Sequence, residues 1–403
     1  MAQKKKDYIL PLAIIGMMFF IVGFALGING YIMPALESAL DISSGMSYML
    51  LAATFASFLL FSYPATALIT KIGYKKTMVL SFAIFAVGFL LFIPSAKLQS
   101  LPLFMIASFI CGTGNTVLQA AINPYATYLG PIDTAARRIS IMGICNIVAW
   151  PVASIFLAKL IGKELDQIVV GDIIFPFYVL AGIFVLLGIL VWVSPLKEMA
   201  FGEQEEESGD SSEAEGKTSI FQFPHLILGA LALFMYVGVE TIAMASSVGY
   251  AEELGLANPE QYAFIPSIGM ILGYIFGVVM IPKFLSQSGA LRIHSWIAIA
   301  GTLAVILLPK QFSIYAVAIV TFGCSVMYPA IFPLAVKGLG KFADKGSSIL
   351  VSCIVGGAIV PLIYGFLKDW VGGQAAYWIG IPCFAFILFY AYVGYKMKGK
   401  SRK

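Results

Sequence analysis

The chain has 403 residues, of which 60% are hydrophobic and 11% are charged, and its mean hydropathy is +0.92. These values lie far outside the range of a water-soluble globular domain and are typical of a polytopic membrane protein. The net charge of +4 reflects basic loops and a basic C-terminal tail, which suit a lipid surface and do not indicate nucleic-acid binding.

Twelve apolar stretches follow one another along the chain, and each approaches or exceeds the about 20 residues that a membrane-spanning helix needs. Most loops between them hold only a few polar or turn residues. The sequence therefore predicts an all-α integral membrane protein whose function is located among its helices. The predicted spans, numbered 1 to 12, are residues 9–36, 47–70, 77–95, 102–128, 139–161, 173–193, 223–248, 262–281, 292–309, 312–336, 347–368 and 374–395.

Basic residues predict the orientation, because Lys and Arg collect in cytoplasmic loops near helix ends. With Lys4, Lys5 and Lys6 in the cytoplasm, 20 of the 25 Lys and Arg residues fall on that side. One span more or fewer would destroy this separation. We therefore expect both termini in the cytoplasm, and the absence of an Asn-x-Ser/Thr sequon favours a bacterial inner membrane.

Carboxamide side chains form the first polar pattern. Span 1 carries Asn29, and span 4 carries Asn115, Gln119 and Asn123 at spacings of four residues, which places these three on one helix face. Since a carboxamide both donates and accepts hydrogen bonds, it matches sugar hydroxyls, which do the same. Hydrogen bonding between neighbouring helices is the competing explanation.

Span 5 adds Asn146 and Trp150, again four residues apart and near the middle of the membrane. An indole face can stack on the C–H face of a sugar, or it can simply pack against other helices.

Proline and glycine pairs coincide with these polar positions. We expect helix interruptions at Asn123-Pro124, Trp150-Pro151, Tyr328-Pro329 and Gly356-Gly357, where freed backbone groups must face protein or a cavity. The interruptions in spans 4 and 10 occupy equivalent places in the two halves, as in transport sites.

An acidic segment with the composition of a linker separates six spans from six. The predicted organisation is an N-terminal six-helix bundle at 1–193, a cytoplasmic linker at 194–222, and a C-terminal six-helix bundle with a basic tail at 223–403. Two such halves around a site near the membrane centre are typical of secondary transporters.

Glu240 in span 7 is the one acidic residue, of 21, that cannot be placed in a tail, a loop or a helix end. A charged side chain in hydrocarbon costs at least about 2.5–3.5 kcal/mol, so its presence needs a reason. A lone buried carboxyl suits a proton carrier, a Na⁺ ligand or an acceptor for substrate hydroxyls. A structural carboxyl bonded to a neighbouring helix is the alternative.

The candidate substrate-binding set combines these residues with single polar residues of spans 7 and 10, and Glu240 is also the candidate ion-coupling residue. No ATP-binding glycine loop, zinc spacing or nucleophile with a base occurs, so we expect no enzyme activity, no metal centre and no cofactor besides a coupling H⁺ or Na⁺. The set is Asn29, Asn115, Gln119, Asn123, Asn146, Trp150, Tyr236, Glu240, Ser325 and Tyr328.

Nearly the whole chain resembles the major facilitator superfamily, and within it the fucose, glucose and galactose permease branch. The most specific segments are Leu118-Gln-Ala-Ala-Ile-Asn-Pro-Tyr-Ala-Thr-Tyr-Leu-Gly130 and Met327-Tyr-Pro-Ala-Ile-Phe-Pro-Leu-Ala-Val-Lys-Gly-Leu-Gly340. The loop at 70–76 is similar to the superfamily signature, although Thr70 stands where an acidic residue is usual. The resemblance implies two pseudosymmetric six-helix bundles, alternating access and uptake of a neutral hexose driven by a cation gradient.

The resemblance also assigns roles to single residues. Asn146 matches a sugar-contacting amide, and Gln119 matches a position that is Gln in glucose/galactose members and Glu in fucose permease, which favours an aldohexose. Gly30 replaces the proton-linked aspartate of fucose permease. Glu240 is similar to the span 7 glutamate of the glucose/galactose branch and is left as the buried acid able to couple.

Several alternatives therefore remain open at this level. Coupling to H⁺, coupling to Na⁺ at Glu240 and uncoupled facilitation all fit the residues, as do an exporter or a sugar sensor of the same superfamily. We expect a monomer whose partners are a small sugar, glucose-, galactose- or mannose-like, and the lipid bilayer.

Overall fold

The computed structural model describes residues 9–128, 135–196, 218–281, 284–339 and 342–397. Within these ranges twelve helices are long and apolar enough to cross a membrane, which confirms the twelve predicted spans. We number them α1 to α12. Their bounds are Ile9–Leu40, Ser44–Ile72, Tyr74–Lys97, Leu101–Tyr128, Ala135–Ile161, Ile174–Val193, Pro224–Ala245, Phe264–Met280, Gln287–Leu307, Lys310–Cys324 with Met327–Val336, Ala343–Ser352 with Gly356–Val371, and Gly373–Ala376 with Gly380–Tyr392.

Within the bounds given above, helix interruptions occur in the last three helices, and a separate short helix, Ser247–Glu253, follows α7 after Ser246. A break at 325–326 divides α10, and the short 3-10 turns Cys353–Val355 and Tyr377–Ile379 divide α11 and α12. The interruptions expected in α4 and α5 are not seen, because both helices continue through their prolines. A membrane helix tolerates the one hydrogen bond that proline removes when neighbouring groups satisfy the freed carbonyl.

The helices form two halves, α1–α6 and α7–α12. In the first half α1 packs on α5 and α3 on α4, while in the second α7 packs on α11 and α9 on α10. Each half has its own cluster of buried apolar side chains. The cluster of the second half also takes in side chains of the first half, which are Leu26, Met33, Tyr48, Leu51, Phe55, Phe58, Ile147 and Trp150.

We call the side on which α1 begins the near side, and the opposite side the far side. On the far side the halves are in direct contact, because α2 packs along the Gly356–Val371 segment of α11 and α5 packs on α8. The hydroxyl of Ser267 in α8 donates to the Ile147 carbonyl of α5 across this contact at 3.3 Å. The predicted linker falls mostly on 197–217, which lie outside the described residues, so the domain boundaries stay predictions.

A Gly-x-x-x-Gly pair brings α1 and α5 into backbone contact. A Cβ atom on Gly23 would overlap the carbonyl of Asn146, and one on Gly27 would lie 2.7 Å from the Cα of Trp150. Small residues at this spacing let membrane helices approach closely. The glycines of α1 therefore determine the position of α5, and with it the position of the helix face that carries Asn146 and Trp150.

We expect Gly23→Ala to lower stability by about 1–3 kcal/mol, because the added methyl group forces α1 away from α5. Gly182→Ala is the matched control, since no atom lies within 4 Å of a Cβ at that position in α6. Thermal unfolding midpoints in detergent measure the difference. Equal midpoints for the two variants would show that the α1–α5 contact is loosely packed.

Candidate functional site

The amide-bearing face of α4, formed by Asn115, Gln119 and Asn123, makes part of its hydrogen bonds within the protein. Asn115 is buried, and its Nδ2 donates to the Val22 carbonyl of α1 at 3.3 Å. Its Oδ1 accepts a hydrogen bond from Nε2 of Gln119 at 2.8 Å. Gln119 is half-buried and Asn123 is exposed. Asn115 thus ties α4 to α1 and orients Gln119, one helical turn further along.

Asn146 and Trp150 are held by the close approach of α1. The Nδ2 group of Asn146 donates to the Phe19 carbonyl at 3.1 Å, which orients a half-buried amide. Trp150 is 7% exposed and belongs to the cluster shared by the two halves. Asn146 is therefore a half-buried amide held in one orientation, and Trp150 lies inside the contact between the halves.

Asn29 lies apart from Gln119 and Asn146. It is 6% exposed, its Nδ2 donates to the Leu26 carbonyl at 3.3 Å, and it lines a small void within the first half together with Thr54, Ser108 and Asn115. The predicted lining role of Asn29 stays a prediction.

Glu240 stands in a group of tyrosines. It is half-buried on α7, and the side chain of Tyr236, one turn earlier, lies within interaction range of its carboxyl. The ring centroids of Tyr236 and Tyr328 are 6.4 Å apart, and Tyr328 is close enough to Glu240 for electrostatic interaction. The ion pairs found in the described part of the chain join Lys163 to Asp172 and Lys368 to Glu37. The neighbours of Glu240 are thus tyrosine side chains, and neither of these ion pairs includes it.

Tyr274 of α8 belongs to this group but was missed in the sequence. It interacts electrostatically with Glu240, and its ring lies 3.7 Å from the position that a Cβ on Gly143 of α5 would take. Gly143 is one turn from Asn146, so Tyr274 of the second half reaches the part of α5 that carries this amide. The sequence feature that could have identified Tyr274 is a tyrosine hydroxyl in the middle of an otherwise apolar span.

Ser325 and Tyr328 both lie near the break in α10, but their side chains make different contacts. The Ser325 hydroxyl is fully buried, donates to the Phe322 carbonyl at 2.7 Å and packs against Gly273 of α8. Tyr328 is half-buried beside Phe332, with ring centroids 5.7 Å apart. The structure therefore gathers Tyr236, Glu240 and Tyr328 but turns Ser325 towards a helix contact.

Two six-helix halves that meet along α2, α5, α8 and α11, with polar side chains on their membrane-spanning helices, have the architecture of a secondary transporter. The sequence profile of the Major Facilitator Superfamily matches residues 15–354. The chain belongs to this superfamily. The expected fold class is thereby confirmed, and the protein is a membrane transporter and not an enzyme.

Relatives of known name cover almost the whole chain. It is 31% identical to the glucose/galactose transporter of Brucella abortus biovar 1 (strain 9-941), over 98% of this chain and 96% of that protein. It is 25% identical to the L-fucose-proton symporter of Escherichia coli (strain K12), over 97% of this chain and 94% of that one. The crystal structure of the transporter FucP in the outward conformation matches with a TM-score of 0.68 at 24% identity, over 96% of this chain and 99% of that chain.

We expect Asn115→Ala to lower the free energy of unfolding by about 1–3 kcal/mol, because it leaves the buried Val22 carbonyl without this donor. Gln119→Ala should cost less, because it removes only the Gln119–Asn115 hydrogen bond of a half-buried side chain, whereas Asn115→Ala removes that bond and the one to α1. Thermal unfolding in detergent compares the two. A larger loss in Gln119→Ala would contradict the structural role given to Asn115.

Proposed function

We propose that the protein takes up a neutral hexose, glucose-, galactose- or mannose-like, by alternating access between its two halves. The observation that supports this proposal is that hydrogen bonds orient the half-buried amides of Gln119 and Asn146 in one half, while Tyr236 and Glu240 stand one turn apart on α7 of the other. Sugar hydroxyls need partners that both donate and accept, and amides and tyrosine hydroxyls are such partners. The relatives named glucose/galactose transporter support the same substrate class.

In this arrangement the aromatic side chain that contacts the sugar is Tyr328 of the second half. Tyr328 is half-buried and offers a ring face beside Glu240, whereas Trp150 becomes accessible only as the halves separate. Gln119, the residue found in the glucose/galactose branch, favours an aldohexose over fucose. Asn29, Asn115, Asn123 and Ser325 stay in the proposed set with a supporting role around these contacts.

We propose that uptake is coupled to protons through Glu240. A half-buried carboxyl that stands beside a tyrosine and outside the described ion pairs can take up and release a proton as its surroundings change. The relative named L-fucose-proton symporter supports H⁺, and no relative supports Na⁺. Uncoupled facilitation is the alternative, favoured by Gly30 standing where fucose permease has its aspartate.

The location follows from the charge distribution. We propose a bacterial inner membrane with the near side in the cytoplasm, because most Lys and Arg residues lie on that side. In the same proposal the chain acts as a monomer, since each copy contains both halves of the site.

Removal of either amide should weaken sugar binding. We expect Gln119→Ala and Asn146→Ala each to reduce affinity by about tenfold or more. Each variant loses a neutral hydrogen bond to the sugar, while the sugar hydroxyl is still removed from water on binding. Thr113→Ala is the matched control, since this half-buried hydroxyl on α4 donates within its own helix to the Phe109 carbonyl at 2.9 Å.

Counterflow of labelled glucose, galactose and mannose in proteoliposomes measures the effect. The hexose assignment is abandoned if none of the three exchanges in the unmodified protein. If the sugars exchange but both variants bind as well as the control, the substrate class stands and the amide assignment fails.

Glu240→Gln should keep counterflow but lose uphill accumulation, because the amide preserves the shape of the side chain but cannot carry a proton. Glu164→Gln on the exposed far-side loop is the control for the loss of one negative charge. Uptake is measured with pH and Na⁺ gradients imposed separately. Undiminished accumulation in Glu240→Gln would exclude Glu240 as the coupling residue, and accumulation driven by Na⁺ alone would exclude proton coupling.

A further inference from the structure

The far-side ends of α2 and α11 are joined through a single carboxylate. Asp369, near the end of α11, accepts hydrogen bonds from the backbone N–H groups of Ser44 and Gly45, both at 2.8 Å. These are the first two residues of α2, whose N-terminal N–H groups have no partner within the helix. A residue of the second half therefore caps a helix of the first.

A second acidic residue reinforces this contact from the first half. Glu37, near the end of α1, accepts hydrogen bonds from the hydroxyls of Ser44 and Ser47, the first at 2.7 Å. The Nζ atom of Lys368 lies 3.5 Å from the Glu37 carboxylate, and both side chains are mostly buried. Lys368 and Asp369, which are adjacent in the second half, thus each contact the first half, Lys368 through Glu37 and Asp369 through the start of α2.

Below this polar rim, α2 and α11 pack without room for additional atoms. A Cβ atom on Gly45 would overlap the ring of Phe366, and one on Gly365 would lie 2.8 Å from the ring of Tyr48. Tyr48 is 3% exposed and its ring packs 5.6 Å from that of Tyr364. The Asp369 contact therefore closes the outer edge of a dry apolar seam.

We propose that Asp369 is the latch of the far-side gate, made when the far side is closed and released when it opens. Alternating access requires the two halves to part on this side, and parting them separates α2 from α11. The bond is charge-assisted and complements the positive end of the α2 dipole, so it favours the closed gate. At the membrane edge both partners can meet water when they separate, so the contact is reversible.

The proposal depends on the two-half transporter fold and on alternating access, and not on the identity of the sugar or of the coupling ion. Its test therefore measures the gate itself. Spin labels at Leu98 and Gln311 report the distance between the halves, because both positions are exposed on the far side, one in each half and away from the seam. The native cysteines are first replaced, and the distances are measured in lipid by pulsed electron resonance.

Asp369→Asn should raise the ratio of far-open to far-closed molecules about tenfold, because an amide loses one acceptor and turns an N–H₂ group against a backbone donor. Two variants that remove a similar cap within one half are the controls. Asp172→Asn affects a carboxylate that accepts from the Val169 backbone at 2.9 Å within the first half. Glu253→Gln affects one that accepts from the Gly373 backbone at 2.9 Å within the second.

A second pair of variants removes the donor instead of the acceptor. Ser44→Pro deletes one latch N–H at the first helical position, where proline is favoured, and the preceding Ser43 is extended (φ −69°, ψ 158°) as a residue before proline requires. Ser44→Ala removes only the hydroxyl bond to Glu37. We expect Ser44→Pro to open the far side about threefold or more beyond Ser44→Ala.

The latch is confirmed if Asp369→Asn and Ser44→Pro both populate the longer distance while the within-half controls keep that of the unmodified protein. It is overturned if the latch variants fold and their distance distributions match those of their controls. A failure of Asp369→Asn to fold leaves the Ser44 pair to decide, and a failure of sugar counterflow in any variant has no bearing on the distance measurement.

Discussion

A bilayer core offers no water to the backbone, and this constraint shapes the whole molecule. Every N–H and C=O group within the membrane must be satisfied inside its own segment, so the apolar stretches become helices and their polar exceptions gather where helices face protein. The carboxamides of α4 and α5, the tyrosines around Glu240 and the carboxylates of the far-side rim are these exceptions. Asn115, Asn146 and Asp369, for example, each bond the backbone of a neighbouring helix.

The close contacts of α1 with α4 and α5 determine how the candidate amides are oriented. Gly23 and Gly27 bring α1 against α5, and the backbone carbonyls of α1 accept hydrogen bonds from Asn115 and Asn146. Asn115 is bonded at both ends of its amide, whereas Asn146 is anchored through its Nδ2 group alone among the bonds described above. In the proposed function, Asn115 therefore holds helices together while Gln119 and Asn146 contact the sugar, so the two explanations of the amide-bearing face of α4 are compatible.

The second half contributes a different chemistry. Its candidate groups are a carboxyl, tyrosine hydroxyls and aromatic faces, brought together by α7, α8 and the broken α10. Tyr274 extends this group towards α5, so the two chemistries meet at the contact between the halves. The far-side rim around Asp369 lies where α2 packs on α11, whereas Tyr274 approaches α5 from α8, so the proposed gate and the proposed site use different helix pairs of the contact between the halves.

The sequence by itself determined the number of spans, their all-helical class, the two-half organisation and the singular position of Glu240, because hydrophobic length and the cost of buried charge act locally. It also identified Gln119 and Asn146 as polar candidates. Only the tertiary structure decided that Ser325 packs against α8, that Tyr274 reaches α5, and that Asp369 caps α2. These outcomes depend on bringing residues as far as 325 positions apart within a few ångströms, and helix packing determines this where no local pattern can.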